Sequence, residues 1–318
     1  MKSTNPTFTD IEKQMLALAF MSDIESNREI IHKSLLNRKE SKNYISNQEI
    51  AAKKAIKKLL NSIESPSSAK FLKGWKLVYG PAISETIVVG AVANTSTSIY
   101  YNKKDKHLVI GVAGTNPIST YGWFTEDLEV TNVVPWNKTI VINGATNTGQ
   151  PSSKDAYVSE GTAIALMNTW NAKSSKNGLT IANWLKTNLD KYPTKTLSVT
   201  GHSLGGAISP ALALALQENQ DDWNPQKSKI AIQSYIYAGP TPGNQGFCDC
   251  FNTDSTAKSK KVLVTSIRNA NDVVPHAWQL DMMEKLYTLF SNPELPGMEV
   301  PAQKDNKGAI VYWIIKYL

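Results

Sequence analysis

The residues with the clearest capacity for chemistry are Gly201–Gly205, which read Gly-His-Ser-Leu-Gly. A serine with this spacing of glycines can occupy a tight turn that lifts its hydroxyl above the end of a strand. Such a turn has strained backbone angles and brings strand and helix close together, so the positions two residues either side of the serine must be small. Gly201 and Gly205 meet that requirement. Ser203 is therefore a candidate nucleophile, although a glycine turn capped by serine explains the motif alone equally well.

The sequence on either side predicts the elements that would position Ser203. Residues 197–200 are mostly β-branched or apolar, as in a buried strand, whereas residues 206–217 are small, apolar and rich in helix formers. Pro210 falls in the second turn of that helix, where the missing N–H weakens the prediction only slightly. Strand, turn and helix in this order are typical of a nucleophile elbow.

A serine nucleophile needs hydrogen-bond donors for the oxyanion that forms at the attacked carbonyl. The backbone N–H of Leu204, at the start of the predicted helix, is one expected donor, with His202 and the two glycines completing the elbow. Residues 107–113 have the pattern of a buried strand that ends at Gly114. We expect Thr115 to present the second donor from the loop that follows, although a plain turn threonine is an equally good interpretation of that residue.

The acid that orients a catalytic base is expected at the end of another strand. Residues 261–268 are strand-like and lead into a segment that contains Asp272. Serine before aspartate is the chain order of α/β-hydrolases, which makes Asp272 the candidate acid. Its alternative role is to cap a helix predicted to begin near His276.

Four histidines are candidates for the base: His32, His107, His202 and His276. His32 lies in an N-terminal helical region, and His107 opens a strand at the end of the sheet opposite the site. His202 should point away from the serine at an elbow. His276 is the remaining candidate, although it follows Asp272 so closely that little chain is left to carry its imidazole to Ser203.

Strand-like and helix-like segments alternate beyond residue 75, which predicts an α/β sheet with helices on both faces. Together with the elbow and the order of serine and aspartate, this leads us to expect an α/β-hydrolase fold with a mostly parallel central sheet. We expect a hydrolase domain over residues 69–318 and an N-terminal helical extension over residues 1–68. An aromatic segment at residues 118–124 predicts either a lid over an apolar substrate or an amphipathic helix on the sheet. The strand-like segments before the elbow are residues 75–79, 86–93, 98–101, 107–113 and 138–142.

Composition narrows the class of protein. The chain has 318 residues, of which 41% are hydrophobic, enough for a substantial core, and a formal net charge of +7. Its lysines are scattered, which favours a solvated surface, with transient contact to anionic lipid, over nucleic-acid binding.

Cys248 and Cys250 are separated by one residue, too close to bridge readily and too few for a zinc site. No apolar run reaches the length of a membrane span, and the absence of a recognisable signal peptide favours a cytoplasmic location, unless a leader has been removed.

Taken together, the motifs resemble those of the class 3 lipases, the family of the fungal triacylglycerol lipases and many bacterial relatives, and we expect a bacterial-type member. The resemblance covers roughly residues 75–280 and does not extend to residues 1–70. The residues that carry it are Val112–Thr115, Trp123 with Glu126–Leu128, Gly201–Gly206, Ala238–Asn244 with Phe247, and Arg268 with Asn271, Asp272 and Val274–His276.

The resemblance implies a serine carboxylic-ester hydrolase that acts on lipid or other apolar esters without a metal or organic cofactor. Ser203 would attack the ester carbonyl, Thr115 and Leu204 would hold the oxyanion, and Asp272 would orient a histidine. In the family, a histidine placed like His276 is common but is not the base, which comes several dozen residues later.

Because no histidine is clearly placed to act as the base, three hypotheses about the protein remain open. No histidine follows His276, and the sequence ends at Leu318 in an apolar segment, so one hypothesis is that the natural protein continues and carries its base there. A second is a hydrolase fold that has lost catalysis and serves as a lipid-binding or protein-interaction module. A third is that the N-terminal helices make the chain chiefly an assembly or tethering protein.

Overall fold

The computed structural model describes residues 8–23, 41–61, 72–88, 91–114, 133–136, 156–251, 262–269, 272 and 274–276. Its helices are α1 Asp10–Asp23, α2 Ser41–Asn61, α3 Glu160–Asn171, α4 Ile181–Asn188, α5 Leu204–Glu218, α6 Gln220–Trp223 and α7 Gln245–Asp249. Its strands are β1 Trp75–Val88, β2 Ala91–Asn102, β3 His107–Val112, β4 Val133–Pro135, β5 Tyr157–Ser159, β6 Thr196–His202, β7 Ala231–Tyr237 and β8 Leu263–Ile267, and a 3₁₀ turn follows at Val274–His276. The strand predicted at residues 138–142 lies outside the described residues.

Six of these strands form one sheet in the order β1-β2-β3-β6-β7-β8. β1, β2 and β3 pair antiparallel with one another, whereas β3, β6, β7 and β8 are parallel to one another. Their carboxyl ends therefore meet at one edge, where Val112, Gly201, Ile236 and Ser266 stand in register. The prediction of an α/β-hydrolase fold with a mostly parallel central sheet is confirmed.

Alternate side chains of the strands supply two hydrophobic cores on opposite faces of the sheet. Leu108 and Ile110 of β3 belong to the core that includes α5. Val109, between them in sequence, packs in the other core with Met15 and Leu18 of α1. Because neighbouring residues of a strand point to opposite faces, α1 and α5 enclose the sheet between them, and the predicted helices on both faces are present.

Hydrogen bonds from four strands also tie α1 to the sheet. They run from Trp75 Nε1 to Gln14 Oε1 at 3.2 Å, between Tyr100 OH and Ser22 Oγ at 3.3 Å, from Thr200 Oγ1 to the Met15 carbonyl at 3.1 Å, and from Tyr237 OH to the Glu12 carbonyl. The helix predicted as part of an extension thus lies within the core of the sheet. The predicted boundary at residues 68 and 69 falls outside the described residues, so the division into two units stays a prediction.

The helix α2 is joined to the sheet through a buried carboxylate. Glu49 Oε1 accepts a hydrogen bond from Ile83 N of β1 at 3.2 Å, and Oε2 accepts one from Ser175 N at 2.7 Å. The Ser175 hydroxyl donates to the same Oε2. Glu49 therefore connects α2, β1 and the segment that follows α3. Among the described helices, none is both long and apolar enough to cross a membrane.

Candidate active site

Ser203 occupies a strained turn between β6 and α5. Its φ of 56° and ψ of −125° place a non-glycine residue in a region that side chains rarely adopt. Its N–H donates a hydrogen bond of 3.0 Å to the carbonyl of Tyr237 at the end of β7. The predicted order of strand, turn and helix is confirmed, with the serine at the edge of the sheet where the parallel strands end.

The glycines around Ser203 have no space for side chains. A Cβ on Gly201 would lie 2.1 Å from the Gly205 carbonyl oxygen, and a Cβ on Gly205 would lie 2.4 Å from the carbonyl oxygen of Val112. Both obstacles are backbone atoms, which no side-chain rotation can move. The expected requirement for small residues at these two positions is confirmed. Gly206, two residues beyond Leu204, is similarly confined, with a Cβ there falling 2.8 Å from Gly239 Cα.

The N-terminus of α5 lies directly after the serine. The Ser203 carbonyl accepts hydrogen bonds from Gly206 N at 2.8 Å and Ala207 N at 3.3 Å, which closes the first turn of the helix. Leu204 is the first residue of α5 and is buried. N–H groups in a first turn lack acceptors within the helix, and the helix dipole favours negative charge there. The backbone of Leu204 is thus suited to the oxyanion role predicted for it, which remains a prediction.

The second predicted donor, Thr115, lies outside the described residues, but the residue before it is well placed. A Cβ on Gly114 would lie 3.1 Å from the His202 carbonyl oxygen and 3.7 Å from Ser203 Cβ. The end of β3 therefore touches the elbow itself. This contact is what a loop carrying an oxyanion donor at Thr115 requires.

Asp272 lies beyond β8, at the same edge of the sheet. Its N–H donates to the Asn269 carbonyl at 3.1 Å, and its Oδ1 accepts a hydrogen bond from Val274 N at 3.0 Å. The second contact caps the 3₁₀ turn, which is the alternative role predicted for this residue. It also fixes the direction of the half-buried carboxylate, as an orienting acid requires. The catalytic role of Asp272 stays a prediction.

Two of the four histidines are held by contacts unrelated to Ser203. His107 is buried with Nε2 2.7 Å from Ser198 Oγ, and burial lowers its pKa to about 4. It pairs with Thr196, the first residue of β6, which confirms its expected place at the opposite end of the sheet. His202 lies against α1, with its ring 4.7 Å from that of Phe20 and Nδ1 3.6 Å from Asp23 Oδ2.

The other histidines remain candidates without a described position. His32 lies outside the described residues, and for His276 only the backbone, in the 3₁₀ turn, is described. The base of the proposed reaction is therefore a prediction. The lid candidates at residues 118–124 and the acidic residues Glu126 and Asp127 also lie outside the described residues.

Within the described part of the chain, no group of histidine, cysteine, aspartate and glutamate side chains is arranged to hold a metal. Cys248 is exposed, Cys250 is partly buried, and the two are not joined in a disulfide. Burial is the main cause that raises the pKa of each thiol, which disfavours the reactive thiolate. The expectation that the site uses no metal or cofactor stays a prediction.

Sequence reasoning missed Asp23, the last residue of α1. Its Oδ1 accepts a hydrogen bond of 2.7 Å from Gly114 N, and its Oδ2 faces His202. No motif marks this aspartate, because its two contacts join segments that are distant along the chain. The only available signal was its position at the end of the helical pattern.

Comparison with known proteins finds one matching family model and a similar fold. The family model described as lipase (class 3) matches residues 131–282, a segment that contains Ser203, Asp272 and His276. Among solved structures, M37 lipase superimposes with a TM-score of 0.67 at 23% identity, covering 98% of this chain and 81% of that one. At this identity the likeness concerns the fold.

Two curated relatives match shorter segments. Phospholipase A1-II 6 from Oryza sativa subsp. japonica is 32% identical over 84 residues, which is 25% of this chain and 20% of the relative. Secreted mono- and diacylglycerol lipase 3 from Gibberella zeae is 31% identical over 106 residues, which is 33% of this chain and 30% of the relative. The similarity thus spans less than a third of either relative's length.

Proposed function

Residues 131–282 match the class 3 lipase family model, and on that premise we propose that the chain is a serine carboxylic-ester hydrolase acting on lipid or other apolar esters. The observation that carries the proposal is the backbone of Ser203, held at φ 56° between β6 and the N-terminus of α5. A serine in this geometry presents its hydroxyl beside helix amides, where a tetrahedral oxyanion can be stabilised.

The proposed reaction proceeds through an acyl-enzyme. Ser203 Oγ attacks the ester carbonyl while a histidine accepts its proton, and the backbone N–H groups of Leu204 and Thr115 hold the oxyanion. Collapse of the intermediate breaks the bond to the alcohol, which leaves with the proton from the histidine. A water molecule, activated by the same histidine, then hydrolyses the acyl-enzyme and releases the carboxylic acid.

Asp272 is the proposed acid for this histidine. It follows β8, two strands away from β6, and its carboxylate is oriented by Val274 N. Among the four histidines of the sequence, His276 is the one that we propose to test first as the base. His107 is ill suited because it pairs with the far end of β6, and His202 because its imidazole packs on α1.

The proposed substrate class rests on two supports. Phe20, 48% exposed, places an apolar ring beside His202 and so next to the elbow, where it suits an apolar chain or a lipid interface. The relatives are named for phospholipase and for mono- and diacylglycerol lipase activity, so both ester types are suitable substrates to test.

The first test exposes the chain to p-nitrophenyl butyrate and to a fluorophosphonate probe, with Ser203→Ala and His276→Ala alongside. Turnover and labelling in the parent chain, both lost in Ser203→Ala, would support the proposal. Loss in His276→Ala as well would assign the base to His276, whereas retained turnover would assign it elsewhere. Turnover that survives Ser203→Ala would refute the nucleophile.

His107 and His202 are held by contacts that do not involve Ser203, so neither is placed to act as its base. This favours one alternative, a hydrolase fold that binds apolar esters without hydrolysing them. In that case the parent chain would show neither labelling nor turnover beyond the residual rate of an oxyanion hole acting alone. It would still bind vesicles of phosphatidylcholine and diacylglycerol. Binding without turnover would therefore indicate that the protein binds lipid and does not catalyse ester hydrolysis.

A further inference from the structure

One carboxylate, that of Asp23, contacts the two segments that are expected to form the oxyanion hole. Its Oδ1 accepts the hydrogen bond from Gly114 N at 2.7 Å, and its Oδ2 lies 3.6 Å from His202 Nδ1. Gly114 immediately precedes Thr115, and His202 immediately precedes Ser203. Asp23 thus contacts the residue that precedes a predicted oxyanion donor and also the residue that precedes the nucleophile.

These segments are in direct contact around Gly114. A Cβ on this glycine would meet three different groups: the His202 carbonyl oxygen at 3.1 Å, Asp23 Oδ1 at 3.6 Å and Ser203 Cβ at 3.7 Å. The end of β3 therefore fits between α1 and the elbow. A shift of the Gly114 peptide would therefore move the end of β3 relative to Ser203.

Asp23 is itself held in place by the residue before it. Ser22 is completely buried, its Oγ donates to the Leu18 carbonyl at 3.1 Å, and it lies 3.3 Å from Tyr100 OH on β2. A Cβ on Gly111 would fall 2.1 Å from Ser22 Oγ, so β3 approaches this end of α1 too closely to leave room for a side chain there. The C-terminal end of α1 is therefore fixed against the strand whose end Asp23 contacts.

We propose that Asp23 is a positioning residue, which holds the end of β3 at a set distance from the nucleophile elbow. This role rests on the proposed function, because its purpose is to keep two oxyanion donors on separate segments aligned. A charge-assisted hydrogen bond from a buried backbone N–H is suited to this task, since it is shorter and stronger than a neutral one. Misplacement of catalytic groups by about 1 Å can cost on the order of 100-fold in rate.

The two contacts of Asp23 can be separated by substitution. Asp23→Asn keeps an oxygen that can accept from Gly114 N but removes the charge that faces His202. Asp23→Ala removes both contacts. If the hydrogen bond to Gly114 is what matters, Asn should rescue what Ala loses.

In the activity test, kcat and KM for p-nitrophenyl butyrate are measured for the parent chain and both variants. Asp23→Ala should lower kcat by about 10- to 100-fold with KM nearly unchanged, because oxyanion stabilisation acts in the transition state. Asp23→Asn should retain kcat within about threefold. The affinity for an alkylboronic acid, which forms a tetrahedral adduct with a serine hydroxyl, should fall in parallel with kcat/KM.

Two control variants identify a purely structural effect. Asp10→Ala removes a surface carboxylate from the same helix, whose Oδ1 lies 3.9 Å from Lys13 Nζ. Thr200→Val removes the hydrogen bond from Thr200 Oγ1 to the Met15 carbonyl, and so loosens α1 without touching Gly114. If Thr200→Val lowers Tm as much as Asp23→Ala and also lowers kcat as much, the role of Asp23 is structural and the proposal is overturned.

A last measurement needs no enzymatic activity. Hydrogen–deuterium exchange of peptides that cover residues 108–116 should be faster in Asp23→Ala than in the parent chain, whereas peptides from β7 should be unchanged. Unchanged exchange at Gly114 overturns the proposal, whether or not the parent chain hydrolyses esters. If the parent chain is inactive but exchange responds as expected, the proposed function fails while the positioning by Asp23 stands.

Discussion

Gly205, in the first turn of α5, lies against the backbone of Val112 at the end of β3, so closely that a Cβ would fall 2.4 Å from the Val112 carbonyl oxygen. The contact joins the helix that follows the nucleophile to the strand that leads to Thr115. The close approach of these two backbones therefore sets the position of the start of α5 relative to the end of β3.

Gly205→Ala should destabilise the fold by about 1–3 kcal/mol, as expected for overpacking against atoms that cannot rotate away. It should also lower kcat, because α5 must move relative to β3. Urea unfolding and p-nitrophenyl butyrate kinetics measure the two effects. Gly178→Ala is the control, since Gly178 has a φ of 67° but no atoms within 4 Å of a Cβ, so only conformational strain is added. An equal loss in both variants would contradict the packing argument.

The strain at Ser203 predicts an unusual order of stabilities among inactive variants. Glycine adopts the backbone angles of residue 203 more easily than alanine does, so Ser203→Gly should be more stable than Ser203→Ala by about 1 kcal/mol. Elsewhere glycine is the less stable of the two, because it adds entropy to the unfolded chain. Thermal unfolding of the two variants decides the matter, and a more stable Ser203→Ala would show that the turn is not strained.

The elbow could be predicted from sequence because everything it requires is local. Gly201 and Gly205 stand on either side of the serine, and a strand pattern and a helix pattern adjoin them. The strand at residues 107–113 was also recognisable, because no polar residue follows His107 in it, and residues 107–112 are all buried.

The hairpin of β1 and β2 was harder to predict. Sequence patterns indicated separate strands at residues 75–79, 86–93 and 98–101, whereas the structure has two long strands. In β2, Thr95, Ser96, Thr97 and Ser98 are all buried, so the polar residues that normally mark exposed positions lie inside the protein. The contact of Asp23 with Gly114 could not be predicted at all, because it joins residues 91 positions apart.

Glu49 should contribute strongly to stability because its carboxylate accepts hydrogen bonds from two separate backbone N–H groups. Glu49→Ala leaves Ile83 N and Ser175 N without this acceptor, which should cost about 2–4 kcal/mol in the free energy of unfolding. Glu49→Gln keeps one acceptor oxygen and should cost less. Urea unfolding of both variants tests this, with the exposed Lys54→Ala as control. A loss in Glu49→Ala no larger than in Lys54→Ala would exclude the anchoring role.

Buried His107 should make stability depend on pH in the mildly acidic range. Burial lowers its pKa from 6.5 to about 4, so between these values the unfolded state binds a proton that the folded state excludes. Stability should therefore be complete above pH 6.5 and decrease as the pH falls towards 4, by about 3 kcal/mol in all. His107→Gln, which can keep a hydrogen bond to Ser198, should lose less stability than the parent chain between pH 7.5 and 4.5. Equal losses in urea unfolding would refute this assignment.

The packing of α1 predicts that this helix cannot be removed without loss of the fold. Leu18 is completely buried against the sheet, so Leu18→Ala should cost about 2–5 kcal/mol. A chain that begins at residue 70 would expose that whole face, including Tyr100 and Val109, and should aggregate or unfold without cooperativity. Circular dichroism and thermal unfolding measure both effects, with Lys13→Ala as the surface control on the same helix. If residues 70–318 instead unfold cooperatively and keep esterase activity, α1 is dispensable, and a separate tethering role for the N-terminal helices becomes the better explanation.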